Sequence, residues 1–382
     1  MFSSFTGPWQ KPSIPVRIPN DDTTFNPKEY PNVVFEATGK MSGTVVLVHT
    51  DDDESDSSGL GRISTRIWVV RESDKEKVII TPSFDNTTHV FRLQAPDDYS
   101  SNAVYHQTTI SYPRAAVTAE SLAVSAPNTS FSGKDLYGLA FGALRSKLSN
   151  GSIALEDAQA DRFQLKTSNG SISGSYEAGH IDFATTNGSI SSKLTLRDAL
   201  DKAQSKVSTT TTNGAVDLHV TATKTNRGLW MQNTSVNGKL SVGVLLGKAD
   251  RASCISALTS NSKIDFSLDA LKSDQALEVN NITSNGSIVS SIMVPKDQPV
   301  KGAASSTNGS VTVNLTEEFH GRFSLETTHG KATVEGSDIT MERNNNSAKQ
   351  GYRGSQGPSA FNIRTTNGST GLRFYPSGQS LA

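Results

Sequence analysis

Only one cysteine, Cys254, stands in the 382 residues, so no intrachain disulfide framework is available and the fold must hold by packing. Cys254 neighbours Ile255 in an apolar column described below and reads as an ordinary small residue rather than a reactive thiol. Charge is scarce and balanced, with 36 Lys plus Arg against 37 Asp plus Glu. Such a chain offers no counter-field to a polyanion or an anionic membrane, which excludes nucleic acid from the expected partners. No stretch approaches eighteen apolar residues, no basic segment runs into an apolar one at the N-terminus, and the final SGQSLA carries no lipidation motif. No membrane span and no secretory signal are expected, and the compartment expected by default is the cytoplasm, with non-classical export left open.

Chemistry-bearing patterns are also missing. The seven histidines form no metal-ligand spacing: His180 and His219 fall at unrelated offsets. HExxH, Walker, GxSxG and CxxC motifs are all absent, so no catalytic residue, metal or cofactor is assigned. Trp9, Trp68 and Trp230 are too scattered to form a sugar-stacking platform, though Trp230 precedes Met231 of a buried column and so points outward as the best ligand-facing aromatic.

What the chain does contain is a repeat. Aligned on an Asn, eleven units run through Asn128, Asn150, Asn169, Asn187, Asn213, Asn237, Asn261, Asn285, Asn308, His329 and Asn367. Six residues before the anchor the position is apolar in every unit but one, where Gly302 stands; three residues after it the only exception is Thr370. Alternation continues outward by twos, as in Val216, Leu218 and Val220, which marks strands with one buried face. Each unit is a strand, an Asn-Gly corner and a second strand. Gly follows the anchor in nine of eleven units, and its tolerance of positive φ suits a sharp corner. Two residues before the anchor, in nine of the eleven units, stands Thr or Ser, as in Thr185, Thr211 and Ser235, on the buried side. Such hydroxyls need partners, and stacked copies about 4.8 Å apart would supply them.

Two architectures fit. An Asn-Gly step between alternating strands is a strong hairpin signal, and a meander of hairpins keeps the same residues on one face. That arrangement leaves a long apolar face with no segment rich enough to cover it. A coil wrapped around its own interior buries both columns unaided, and periods of 18 to 26 residues suit one turn of a β-solenoid. The expected fold is therefore all-β, a parallel β-helix or solenoid of about eleven rungs with an irregular N-terminal β cap region.

The alternating strands around TTNGSI, TSNGSI and TTNGAV resemble, over about residues 120–375, the putative-adhesin family of bacterial and fungal β-repeat proteins. The resemblance implies a β-helix, a role in surface attachment and, for most members, no assigned biochemical activity.

In chain order, residues 1–30 carry five prolines (Pro8, Pro12, Pro15, Pro19, Pro27) and are expected to be disordered. Residues 31–120 read as irregular strands or an end cap, and 121–376 as the solenoid. Asp51 to Gly59 alternates oxygen donors but matches no EF-hand spacing, so it reads as a solvated loop. Residues 133–148 and 197–206 are candidates for short helices, and 342–358, ERNNNSAKQGYRGSQGP, is a polar low-complexity insert expected to be disordered.

A β-helix enzyme needs carboxylates, or a carboxylate with Lys or Arg, on neighbouring rungs of one face. Asp217 and Asp265 share an offset two rungs apart and are expected to be solvated strand charges. The outward Ser and Thr row one residue before the anchor is one residue wide, too narrow for an ice-binding array. The function expected is a non-enzymatic scaffold or adhesin-like interaction protein presenting polar strand faces to a protein or glycan partner, with self-association as a further mode. The alternative is a carbohydrate-active β-helix enzyme, a polysaccharide lyase or hydrolase.

Overall fold

Strand propensity and period-two patterning dominate, and the described residues are all-β with one short 3-10 turn, Glu72–Lys77. The computed structural model describes residues 14–50, 59–97, 103–114, 116, 118–296 and 298–376. The strands join one large, mostly parallel sheet. Contacts divide the chain into two units: Met1–Ala160 with Gln164–Gly170, and Asp161–Phe163 with Ser171–Ala382.

In the second unit the strands before and after each corner never pair with each other. Ser205–Thr211 pairs in parallel with His180–Ala184 and Leu229–Ser235, whereas Val216–Lys224, beyond Asn213-Gly214, pairs in parallel with Ile190–Arg197 and Leu240–Leu246. The hairpin arrangement is thereby excluded at this corner. Two parallel ladders result, one from the strands before the corners and one from those after. The apolar columns fall in register, Val207 on Met231 on Ile255 on Val279 in the first ladder and Val216 on Leu240 on Ile264 on Ile288 in the second. All eight are at most 1% exposed, so the columns are the core.

The corners hold for reasons the alignment only partly captured. None of the anchor glycines has positive φ. What forbids a side chain is proximity: a Cβ on Gly214 would stand 1.8 Å from the carbonyl oxygen of Gly188, and one on Gly238 would stand 1.7 Å from that of Gly214. The buried hydroxyls of these corners bond backbone carbonyls rather than one another. Thr211 Oγ1 donates to the Gly188 carbonyl (3.1 Å) and accepts from the Gly214 N–H (3.1 Å), stitching one corner to the next. The anchor amides do stack. Asn213 Nδ2 donates to Asn187 Oδ1 (2.7 Å), Asn237 to Asn213 (2.8 Å), Asn261 to Asn237 (2.8 Å), Asn285 to Asn261 (2.8 Å) and Asn308 to Asn285 (2.7 Å).

Beyond Asn308 the order changes. Asn367 Nδ2 donates to Asn308 Oδ1 (2.7 Å), and His329 Nδ1 meets Asn367 Oδ1 (3.1 Å), so the last repeat in the sequence lies inside the one before it. The residues between them are not disordered. Ile339–Asn344 and Ala348–Arg353 pair antiparallel, and the second of these pairs antiparallel with Gly321–His329. Polar composition misled here because the outer strand faces solvent while backbone pairing supplies the order, and because Arg353 is buried, with its guanidinium over the Phe374 ring (5.6 Å) and Nε donating to the Ser337 carbonyl (3.2 Å).

In the first unit, Asn32–Thr38 lies between Thr88–Gln94 and Thr118–Ala126, and Ser42–Thr50 lies between Val104–Pro113 and Asn128–Lys134, all in parallel. Antiparallel strands Ile79–Asp85 and Gly61–Val69 flank this set. Residues 1–13 and 51–58 lie outside the described residues, but from Ile14 the Pro-rich segment carries two short strands paired to Gly61–Val69, so its expected disorder does not extend there. The expected helices are absent too. Asp135 (φ 54°), Gly138 (φ 86°) and Lys202 (φ 54°) take left-handed backbone that no right-handed helix admits, and Ala140–Leu148 is a strand.

Candidate functional site

Charged side chains collect on one stretch of the second ladder's outer face. Asp265 sits two strands from Asp217 with Ser241 between them, as the shared offset required. The corner places a lysine two residues after Asn237 and another after Asn261, and both converge on one carboxylate: Lys239 Nζ lies 2.7 Å and Lys263 Nζ 2.6 Å from Asp265. Asp265 is only 28% exposed, so it is not the solvated strand charge expected. Burial works against its ionised form, yet the hydrogen bonds and charges of the two lysines outweigh it and hold the carboxyl below the usual range. Lys239 is raised, chiefly by its hydrogen bond to Asp265, and feels Asp217 as well. Offset counting found the two aspartates; the lysines that change their environment were visible at the same corner position but belonged to a different row.

On the first ladder, Trp230 does point outward and is half-buried. It stands in register between Lys206 and Cys254, with the Lys206 ammonium 4.6 Å from its ring centroid. Its neighbour Cys254 is half-buried and pairs in register with Glu278. Burial, then the charge of Glu278, push the thiol up and away from the reactive thiolate. His180 lies in the same outward row as Lys206, His219 belongs to the second ladder in register with Lys193, and His329 continues the amide stack, so the structure brings no two of the three together.

The first unit contributes buried chemistry that composition could not reveal. His106 is fully buried, its Nδ1 3.1 Å from Thr108 Oγ1 and its Nε2 3.0 Å from Thr129 Oγ1. Desolvation lowers it to about 3. His89 is equally buried, stacked on Phe84 at 4.3 Å with neither ring nitrogen hydrogen-bonded, and burial lowers it to about 4. Both are neutral core residues at physiological pH. A cavity of about 400 Å³ in the same unit is walled by Ile18, Pro19, Val78, Ile79 and Ile80, with Lys75 and Glu76 at its side. Among the described residues no group of three or more His, Cys, Asp or Glu could hold a metal ion, and no helix is long and apolar enough to cross a membrane.

A family profile, that of a domain of unknown function (DUF7330), matches residues 249–372. No curated protein matches the chain in sequence. Two solved structures are similar. A putative cell adhesion protein from Clostridium sporogenes is 7% identical with a TM-score of 0.23, the match covering 92% of this chain and 97% of that one. A putative adhesin from Parabacteroides merdae is 11% identical with a TM-score of 0.35, covering 79% and 97%.

Proposed function

We propose that the chain is a non-enzymatic β-solenoid scaffold of about eleven rungs, adhesin-like in presenting polar strand faces to a protein or glycan partner. The observation that carries this reading is the in-register parallel pairing of alternate strands from Ser205 to Ser306, which repeats each outward position at one strand spacing, about 4.8 Å. Rows such as Ser208, Gln232, Ser256 and Asn280 thereby become linear arrays of hydrogen-bonding groups on a rigid support, the kind of surface that fits an extended polar polymer. Trp230 adds the aromatic contact in the neighbouring row.

Binding of the full chain to immobilised glycans tests the reading. Affinity that falls at least tenfold in Trp230→Ala or Gln232→Ala, with the melting temperature unchanged, supports the outward face of the first ladder as the binding surface. Binding unaffected by either substitution removes that face from the proposal.

The Lys239–Asp265–Lys263 group favours one second reading, the carbohydrate-active enzyme, because a carboxylate and lysines on neighbouring rungs is what proton abstraction from a polyuronate needs. Wild-type protein incubated with polyuronates and neutral glycans should release no unsaturated or reducing ends. Turnover that disappears in Asp265→Asn or Lys263→Ala at unchanged stability would replace the scaffold with the enzyme.

A further inference from the structure

The second unit lays down its repeats in sequence order until the last. Val300–Ser306 pairs not with the next strand of its ladder, Gly321–His329, but with Ser359–Asn367, which pairs on its other side with Gly321–His329. The second ladder repeats the arrangement, with Thr370–Tyr375 between Val311–Thr316 and Ala332–Glu335. Residues 359–375 therefore fill a slot between two repeats that precede them in the chain.

The slot is shaped for its occupant. Gly302 interrupts the apolar column where the Phe361 ring enters, and a Cβ there would stand 2.0 Å from that ring. The Val311 N–H donates to the Ser369 carbonyl (2.9 Å), and the Thr370 N–H donates to Lys331 (3.0 Å). Yet both walls also carry the marks by which adjacent repeats recognise each other: Ser306, Asn308 and Val311 on one, and Thr327, His329, Phe323 and Ala332 on the other. Without an occupant, the walls have the register to pair directly. A slot with a closed empty form and an open filled form is a strand-insertion device. Its filler is tied to the outer wall through the hairpin of Ile339–Asn344 and Ala348–Arg353, and residues 354–358 form a hinge that reaches about 17 Å when extended.

We infer that the C-terminal repeat is exchangeable, and that the partner this slot fits is the C-terminal repeat of a second copy of this chain. Reciprocal exchange closes a dimer; one-way exchange propagates an open chain of copies. Every hydrogen bond inside the slot is the same in cis and in trans, so linker geometry and protein concentration set the balance. The inference rests on the solenoid reading of the two ladders.

The test uses Ser305 and Arg364, register partners on the outward face, in full-length chains carrying Cys254→Ser. A chain with both Ser305→Cys and Arg364→Cys should form an intrachain disulfide on oxidation. Chains carrying Ser305→Cys or Arg364→Cys alone, mixed at high concentration and then oxidised, should give the mixed disulfide in at least tenfold excess over either homodimer. Wild-type protein should show a dimer fraction on size exclusion that rises with concentration, and the intrachain staple should abolish it. An intrachain disulfide without the mixed one, from protein monomeric at every concentration, overturns exchange and leaves the scaffold intact. Failure of the intrachain disulfide itself means that the register is wrong, and the solenoid reading falls with the inference.

Discussion

Gly302 faces Phe361 across one strand spacing so closely that a Cβ at 302 would stand 2.0 Å from the ring. The exception in the apolar column is thus a complement to a residue 59 positions away. Gly302→Val should destabilise the fold strongly by overpacking, by about 1–3 kcal/mol or more. Phe361→Ala should cost about 3–5 kcal/mol through the cavity it leaves. The double variant should be more stable than the sum of the two losses implies, a coupling that chemical denaturation of all four proteins measures. Strict additivity would show that the two residues do not meet.

Ile264, fully buried between Leu240 and Ile288, represents the ordinary column. Ile264→Ala should cost about 2–5 kcal/mol, and Ile264→Asp, which buries an unpaired charge, should abolish the cooperative transition or lower its midpoint further still. A loss below 0.5 kcal/mol for the alanine variant, roughly the scale of a surface change, would place this residue outside the core.

Stability should fall with pH on the acid side because of His106 and His89. Their folded pKa values, about 3 and about 4, lie below the ordinary 6.5. The unfolded chain therefore takes up protons that the folded one refuses, and their contribution, intact above pH 6.5, is lost progressively as pH falls toward 4 and 3. At pH 5.5 each histidine should cost on the order of 1 kcal/mol relative to pH 7.5, the scale of one pKa unit. Denaturant midpoints measured across that range should show the slope, and His89→Leu should reduce it by about half. A slope unchanged in that variant would mean that His89 titrates in the folded protein.

Much of this architecture was legible because it is periodic. The columns at Met231, Ile255, Leu240 and Ile264 follow from alternation, and the stack from Asn187 to Asn308 follows from the aligned anchors. The order of the repeats was not legible, since Phe323 and Phe361 carry the same marks and nothing local says which lies next to Gly302. The glycine requirement was visible, but its cause lies in the carbonyl of the neighbouring repeat rather than in local φ. Asp265 was misread because its lysines sit in a different row, and the helices because Asp135 and Lys202 adopt a backbone that composition does not announce.

The Lys239–Asp265–Lys263 group is partly exposed, so its charge should contribute little and vary with salt. Asp265→Asn should cost at most about 1 kcal/mol at low ionic strength and less at 0.5 M salt. A larger loss that persists in high salt would show that the carboxylate is held by more than its two lysines.

The hairpin of Ile339–Asn344 and Ala348–Arg353 should matter more than its composition suggests. At each step of the second ladder the first amide of a strand donates to a carbonyl at the corner of the next repeat, as Val216 does to Lys239 (2.9 Å) and Thr370 to Lys331 (3.0 Å). At the last repeat no further corner follows, and the hairpin tip takes its place: the Ala332 N–H donates to the Asn346 carbonyl and the Thr327 N–H to the Ser347 carbonyl, each at 2.8 Å. The tip is held by Asn345 Oδ1, which accepts from the Ala348 N–H (2.6 Å) and the Ser347 N–H (3.1 Å). A strand edge left open pairs with other chains, and charged outer residues such as Glu342 and Arg343 are the usual guard against it. Replacing residues 338–354 with the same number of Gly and Ser residues removes the tip, the antiparallel partner of Gly321–His329 and the buried Arg353 together. The variant should melt several degrees lower and associate with time and concentration, which calorimetry and light scattering would follow. Wild-type stability and monodispersity in that variant would show that the hairpin is an ornament on the edge rather than its cap.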